Sequence, residues 1–202
     1  TFELSILVVA LTSTFGVFIG IIAGYFRGVI DEILMRLIDV LLAFPSIILA
    51  LVIIGALGPG MINTIVAISL VGWLFYARVA RATTLSIREK EYIEGARAMG
   101  CSDGYICLRY VLPNCLPPII VLMTLNLGSV ILSIAALGYL GLGAQPPTPE
   151  WGSMLNEGRE YLRDCPWLCV FPGLMIMLAV LAFNFIGDGL RDAIDPRQMV
   201  IK

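Results

Sequence analysis

Four long stretches of this sequence contain no Asp, Glu, Lys or Arg, and they constrain its fold more than any other feature. They cover Leu4–Phe26, Val40–Ala77, Tyr110–Pro149 and Cys165–Gly187. A helix that crosses a bilayer needs about 20 apolar residues, and backbone in lipid must satisfy its own hydrogen bonds. Each stretch is therefore long enough to hold at least one transmembrane helix.

The composition agrees with a membrane protein. Of the 202 residues, 59% are hydrophobic and 14% are charged, whereas soluble domains average about 25% charged residues. The turn formers Gly58-Pro59-Gly60 split the second stretch, and the segment from Gly141 to Pro149 ends the third. We predict an all-α, polytopic transmembrane bundle that forms one domain over residues 1–202. Its five spans are predicted at residues 4–26, 34–56, 62–83, 115–139 and 166–188.

The basic residues predict an orientation. Only Arg159 and Arg163, of 13 lysine and arginine residues, lie in the predicted loop 140–165. Because Lys and Arg concentrate in cytoplasmic loops, that loop is expected outside and the C-terminus in the cytoplasm. The amino end then lies outside, so we expect an earlier segment with at least one more span. A natural start near Thr1 after processing is the alternative.

The predicted cytoplasmic loop, residues 84–114, has the pattern of two short helices. A first helix is expected from Tyr92 to Met99, and Gly100 suits a left-handed cap. Ser102 or Asp103 can cap a second helix, which Pro113 is expected to end. Four apolar residues on this loop should be exposed and need a partner: Ile93, Met99, Tyr105 and Leu108.

In the same loop, Glu94-Gly95-Ala96 is followed by Gly100 and then by Tyr110-Val111-Leu112-Pro113. This pattern resembles the EAA loop of bacterial ABC importer permeases. Gly95 stands in place of an alanine and Tyr110 in place of an isoleucine. The resemblance implies that six residues couple the chain to an ATPase: Glu94, Gly95, Ala96, Gly100, Leu112 and Pro113.

Three further segments resemble the dipeptide, oligopeptide and nickel permeases, in particular their C-type subunit: 35–45, 140–152 and 183–197. The resemblance implies a second permease subunit, two ATP-binding subunits, an extracytoplasmic solute-binding protein and the cytoplasmic (inner) membrane of a prokaryote. It implies alternating access, with ATP and Mg²⁺ used by the partner ATPases. This chain has no Gly-rich loop ending in Gly-Lys-Ser/Thr, so we expect no ATPase or other enzyme activity of its own and no bound cofactor. No nucleic-acid partner is expected either.

Two groups of residues are candidates for contact with solute. Asn126, Ser129 and Ser133 fall on one face of the fourth span, where they border the solute path or join helices to one another. The resemblance implies that Trp151 and Gly152 contact the binding protein or form an outer gate. An interfacial lid with Trp151 at headgroup depth is compatible with both.

The predicted function is import of di- or oligopeptides, with nickel import by the same kind of permease as the alternative. A channel or a secondary transporter is the alternative from another class. The chain has no His and no CxxC pair, so no metal site is expected. Cys165 and Cys169 either pack as small apolar residues or contact each other.

Overall fold

The computed structural model describes residues 1–194, and every regular element in that range is helical. The helices are α1 (Phe2–Phe26), α2 (Gly28–Leu42), α3 (Ser46–Leu57), α4 (Met61–Arg88), α5 (Glu91–Ala98), α6 (Asp103–Ile106), α7 (Leu112–Tyr139), α8 (Trp151–Gly158) and α9 (Trp167–Ile194). A π-helical turn, Cys107–Val111, joins α6 to α7, and a 3-10 turn, Arg159–Tyr161, follows α8. The predicted all-α bundle is confirmed. Arg197, Lys202 and the end of the 183–197 motif lie outside the described residues.

Four helical segments are long and apolar enough to cross a membrane. They are α1, α4, the continuous segment Asp103–Tyr139 that contains α7, and α9. These segments occupy four of the five predicted spans, and each extends beyond at least one predicted end, because charged residues can continue a helix past the apolar region. The chain thus builds a bundle of long helices with the short helices α5, α6 and α8 at its two ends.

The remaining predicted span, 34–56, is not one helix. It is divided between α2 and α3, whose axes differ by 89° across a short break. Pro45 lies at that break with an extended ψ of 128°. Proline lacks an amide hydrogen and disfavours helical backbone in the residue before it, so the helix stops and changes direction here. The prediction of a continuous helix is wrong, and five spans result only if the bent pair counts as one.

The helices α1 and α4 pack closely along a stripe of three glycines. A Cβ atom on Gly16 would lie 2.6 Å from the Cβ of Tyr76, and one on Gly24 would lie 2.8 Å from that of Thr84. Gly20 lies between them and is equally close to α4. Small residues at four-residue spacing allow two helix backbones to approach each other in this way. The pair α1–α4 therefore forms a close-packed unit of the bundle.

The second loop helix does not end at Pro113. Instead, Asp103–Tyr139 is helical throughout, and Pro113 is the second residue of α7. In the π-helical turn before it, the amide of Leu112 donates to the carbonyl of Cys107, five residues back. A π-helical turn widens the helix locally. The ring of Pro113 therefore avoids the clash with a backbone carbonyl of the preceding turn that it would make in a regular α-helix. The prediction that Pro113 stops a helix is wrong for this reason.

Candidate functional site

The loop between α4 and α7 folds as two helices joined at Gly100. Gly100 has φ +83°, a left-handed conformation that glycine adopts without steric cost. Ser102 then caps α6, since its hydroxyl accepts a hydrogen bond of 3.4 Å from the amide of Tyr105. Both features were predicted from the sequence. We call the end of the bundle that carries α5 and α6 the loop end.

Burial within the loop separates an anchored side from an exposed side. Ile93 and Ala96 are buried against the bundle, so the prediction that Ile93 is exposed is wrong. Three other apolar side chains are mostly exposed, and we call them the exposed loop face: Met99, Tyr105 and Leu108. Glu94, Gly95, Gly100 and Pro113 are also exposed, whereas Leu112 is half-buried. Ile93 was misjudged because helical spacing alone does not show which face of α5 meets the spans.

Tyr110, which replaces the isoleucine of the resembled pattern, organises the aromatic side chains of the loop. Its ring centroid lies 6.1 Å from that of Tyr105 in an edge-to-face arrangement and 6.3 Å from that of Tyr92. Both distances fall within the range of favourable aromatic pairs. Tyr110 therefore links α5 to the start of the long α6–α7 helix.

Ion pairs hold the bent helix α2 against α4 near the loop end. The guanidinium of Arg81 forms a two-pronged pair with the carboxylate of Asp31, with Nη2 2.6 Å from Oδ2. Arg78 pairs with Asp39. Bidentate arginine–carboxylate pairs set the relative orientation of the two side chains as well as attracting them electrostatically. The bend at Pro45 is thus supported on its loop-end side by two contacts between α2 and α4.

A groove of about 280 Å³ lies between α3, α4 and α7. Asn126, Ser129 and Ser133 all line it, so the structure brings the three predicted path residues together. Ser46 and Phe75 line the same groove and were missed from the sequence. The signal for Ser46 was its position directly after Pro45, where a broken helix begins.

The polar residues of the groove have different partners. The side-chain amide of Asn126 donates to the phenol oxygen of Tyr76 at 3.2 Å. The hydroxyl of Ser133 donates to the carbonyl of Ser129 at 2.8 Å, within α7. Ser129 is exposed to the groove. Asn126 therefore joins two helices, whereas Ser129 offers its polar side chain to whatever occupies the groove.

At the opposite end of the bundle, α8 packs directly on α7. A Cβ on Gly152 would collide with the backbone of Ala135, and Trp151 is half-buried beside the α7–α9 contact. Glu150 is buried: its Oε2 accepts from the amide of Ser153 at 2.9 Å and thereby caps α8. Gly152 is thus a packing position, and α8 is held rigidly over the bundle.

The two cysteines near this end do not form a disulfide. Cys165 and Cys169 are both free thiols. The sulfur of Cys169 lies 3.9 Å from the carbonyl of Leu155 and packs close to Gly158. Cys169 therefore serves as a small packing residue between α8 and α9.

A family model described as "Binding-protein-dependent transport system inner membrane component" matches residues 16–200. This match covers more than nine-tenths of the chain. The chain belongs to this family. The match spans the loop, the groove and α8, and the predicted resemblance to importer permeases is confirmed.

Curated members of the family are similar over most of this chain. The dipeptide transport system permease protein DppC of Alkalihalophilus pseudofirmus is 50% identical over 184 residues, which are 91% of this chain and 60% of that protein. The glutathione transport system permease protein GsiD of Pectobacterium atrosepticum is 47% identical over 90% of this chain and 60% of its own length. DppC of Haemophilus influenzae is 43% identical over 95% of this chain and 65% of that protein. The chain thus spans about three-fifths of the length of the first two relatives.

The fold also matches a solved structure. An inward-facing structure of the MetNI methionine ABC transporter superimposes with a TM-score of 0.74 at 22% sequence identity, over 96% of this chain and 92% of that one. At this identity the likeness concerns the fold alone. The overall helical arrangement of this chain is therefore one that a solved ABC transporter also has.

Proposed function

We propose that this chain is the membrane-spanning permease subunit of an ATP-driven importer that moves di- or oligopeptides by alternating access. The observation that carries the proposal is the 50% identity over 91% of the chain to a dipeptide transport system permease. The relatives named for glutathione transport also concern a peptide, since glutathione is a tripeptide. A second permease subunit, two ATP-binding subunits and an extracytoplasmic binding protein complete the proposed complex.

The loop end is the proposed site of contact with an ATPase subunit. Its exposed loop face carries Met99, Tyr105 and Leu108 on a soluble loop, and Met99 is 77% exposed. Exposed apolar side chains clustered beside charged residues are typical of a protein interface. Ile93 and Ala96 anchor the loop from below, so a force applied to the exposed loop face reaches the spans.

The loop end is proposed to face the cytoplasm. Most of the chain's lysine and arginine residues lie towards it, whereas Arg159 and Arg163 lie beyond α8 at the opposite end. Basic residues in short loops are retained on the cytoplasmic side. This orientation puts α5 and α6 where ATP is available and α8 where a binding protein delivers solute.

The groove suits weak contact with peptide groups. Ser129 and Ser133 provide hydroxyls, and Ile47 and Phe75 provide apolar walls. Hydroxyls can both donate and accept hydrogen bonds, as peptide amides require. Weak, exchangeable bonds let a solute leave, which transport requires.

The test is uptake by the reconstituted complex in proteoliposomes, with ATP enclosed and a radiolabelled dipeptide supplied with the binding protein. We expect uptake that requires ATP and is competed by unlabelled peptides, with Ni²⁺ without effect. Competition by Ni²⁺ alone would support the nickel alternative and contradict the peptide proposal. Uptake that needs no ATP would contradict the importer proposal altogether.

A further inference from the structure

The loop is joined to α1 by a polar cluster around one buried tyrosine. Tyr25, at the loop end of α1, is only 3% exposed. Its phenol donates a hydrogen bond of 2.7 Å to the Oδ1 of Asp103, the first residue of α6. The same phenol oxygen accepts a hydrogen bond of 3.4 Å from the Nε of Arg97, near the end of α5. One hydroxyl thus bonds to both helices of the loop.

Two arginines also lie against the ring of this tyrosine. The guanidinium carbon of Arg97 is 5.0 Å from the ring centroid, and that of Arg88, at the end of α4, is 5.9 Å away. Both distances are within the range of cation–π attraction. The Nη1 of Arg88 is buried without a hydrogen-bond partner among the described residues. The ring therefore brings together the ends of α1, α4 and α5.

The tyrosine is held firmly on the side of the spans. The neighbouring Gly24 is so close to α4 that a Cβ on it would lie 2.8 Å from that of Thr84. Tyr25 cannot move along the bundle without disturbing the α1–α4 packing. A displacement of α5 and α6 must therefore either break the bonds to its phenol or carry α1 with it.

From these contacts we infer that Tyr25 is a positioning residue that transmits movement of the loop to the α1–α4 unit. The inference rests on the proposed function, because it assigns a step in the coupling of ATP hydrolysis to transport. Both bonds have one charged partner, and the bond to Asp103 is the main connection because it is 2.7 Å long, whereas the bond from Arg97 is 3.4 Å long. The rings of Tyr92, Tyr105 and Tyr110 lie within the loop itself and provide no equivalent connection.

The test compares Tyr25→Phe with the wild type in the complete importer complex, reconstituted with its binding protein. The change keeps the ring and its arginine contacts and removes only the hydroxyl. We expect the ATPase subunits to remain bound and ATP to be hydrolysed, while solute taken up per ATP falls at least roughly tenfold, the size expected for losing a hydrogen bond to a charged group. Tyr139→Phe, which removes an exposed phenol at the opposite end of α7, should leave that ratio unchanged.

A double-mutant cycle with Asp103 separates coupling from simple stability. Asp103→Ala should lower the ratio of solute taken up to ATP hydrolysed, as Tyr25→Phe does. The double variant should have a ratio no lower than that of the more impaired single variant, because both changes remove the same hydrogen bond. Asp103→Asn retains an acceptor oxygen and should recover most of the ratio of solute to ATP. If Tyr25→Phe fails to assemble, the comparison of Asp103→Ala with Asp103→Asn still tests whether the hydrogen bond couples the loop to α1.

An unchanged ratio of solute to ATP in Tyr25→Phe, or additive effects in the cycle, would overturn the inference while the proposed function stands. Fewer complexes with a normal ratio in each would make Tyr25 purely structural, and would overturn it too. If the wild-type complex shows no ATP-driven uptake, the proposed function fails and the inference fails with it.

Discussion

The side-chain amide of Asn126 lies 3.2 Å from the phenol oxygen of Tyr76, to which it donates, and so joins α7 to α4 at the wall of the groove. Tyr76 is fully buried, and its phenol would lose this partner if Asn126 were replaced. The two alternatives for the polar face of α7, helix contact and a border of the solute path, thus apply to different residues. Asn126 has a role in helix contact, and Ser129 remains the better candidate for contact with solute.

Ser129→Leu should impair uptake more than assembly. The substitution replaces a small polar side chain exposed in the groove by a bulky apolar one. We expect uptake per assembled complex to fall roughly tenfold, as for loss of about 1.4 kcal/mol of favourable contact with a polar solute. Thr124→Leu, on the same helix but outside the groove lining, is the matched control. Lost assembly with normal uptake per surviving complex would make Ser129 structural.

Asn126→Leu is expected to act first on stability. It leaves the buried phenol of Tyr76 without this hydrogen bond, at a cost of about 1–3 kcal/mol. The measurement is the thermal unfolding midpoint of the purified complex in detergent, with Ser129→Leu for comparison. An unchanged midpoint together with impaired uptake would move Asn126 from helix contact to the solute path.

Gly100→Val should weaken coupling without preventing membrane insertion. A β-branched residue at φ +83° is strained by at least about 1–2 kcal/mol, so the turn between α5 and α6 should shift. We expect less ATPase copurified and lower uptake at a normal level of membrane-inserted protein. Gly104→Ala is the control within the loop, since Gly104 has open space around it and no positive φ. Normal uptake by Gly100→Val would show that the turn is dispensable.

Gly20→Ala should destabilise the bundle although it adds only one methyl group. That methyl would lie 2.7 Å from the Cβ of Ala80, and overpacking of this kind costs about 1–3 kcal/mol. Gly55→Ala is the matched control, since nothing lies within 4 Å of an added Cβ there. The two variants are compared by yield of monodisperse protein and by unfolding midpoint. Equal values would mean that α1 and α4 separate at little cost.

Features that depend on local chemistry were predictable from the sequence. The apolar stretches located four membrane-length helical segments, because the bilayer sets both their length and their polarity. Gly100 and Ser102 were identified because a left-handed turn and a helix cap each require particular residue types. The polar face of α7 was also found, since helical spacing places Asn126, Ser129 and Ser133 together.

Features that depend on tertiary contacts were not predictable. The apolar composition of a stretch does not show whether its helix axis changes direction, so the 89° bend at Pro45 was missed. Ile93 is buried because the spans lie on that side of α5, which its own helix pattern does not reveal. Glu150 is buried where it caps α8 and accepts a hydrogen bond from Thr1, a contact between distant parts of the chain that sequence spacing does not reveal.

Topology is tested by labelling single cysteines in a Cys-free, full-length protein. Glu157→Cys should react with a membrane-impermeant maleimide in intact cells, and Lys90→Cys should react only after permeabilisation. Both positions are exposed, at opposite ends of the bundle. The reverse pattern would overturn the proposed orientation, and with it contact between the loop end and a cytoplasmic ATPase.

The central claim, that the exposed loop face contacts an ATPase subunit, is tested most directly by cross-linking from Met99. Met99→Cys in a Cys-free background, treated with a short cysteine-specific cross-linker in the assembled complex, should join this chain to the ATP-binding subunit. Met154→Cys is the matched control, because Met154 is an exposed methionine on α8 at the opposite end of the bundle. The proposal predicts a product that contains the ATPase from position 99 and none from position 154. A complex that transports normally but gives no such product from position 99 would contradict it.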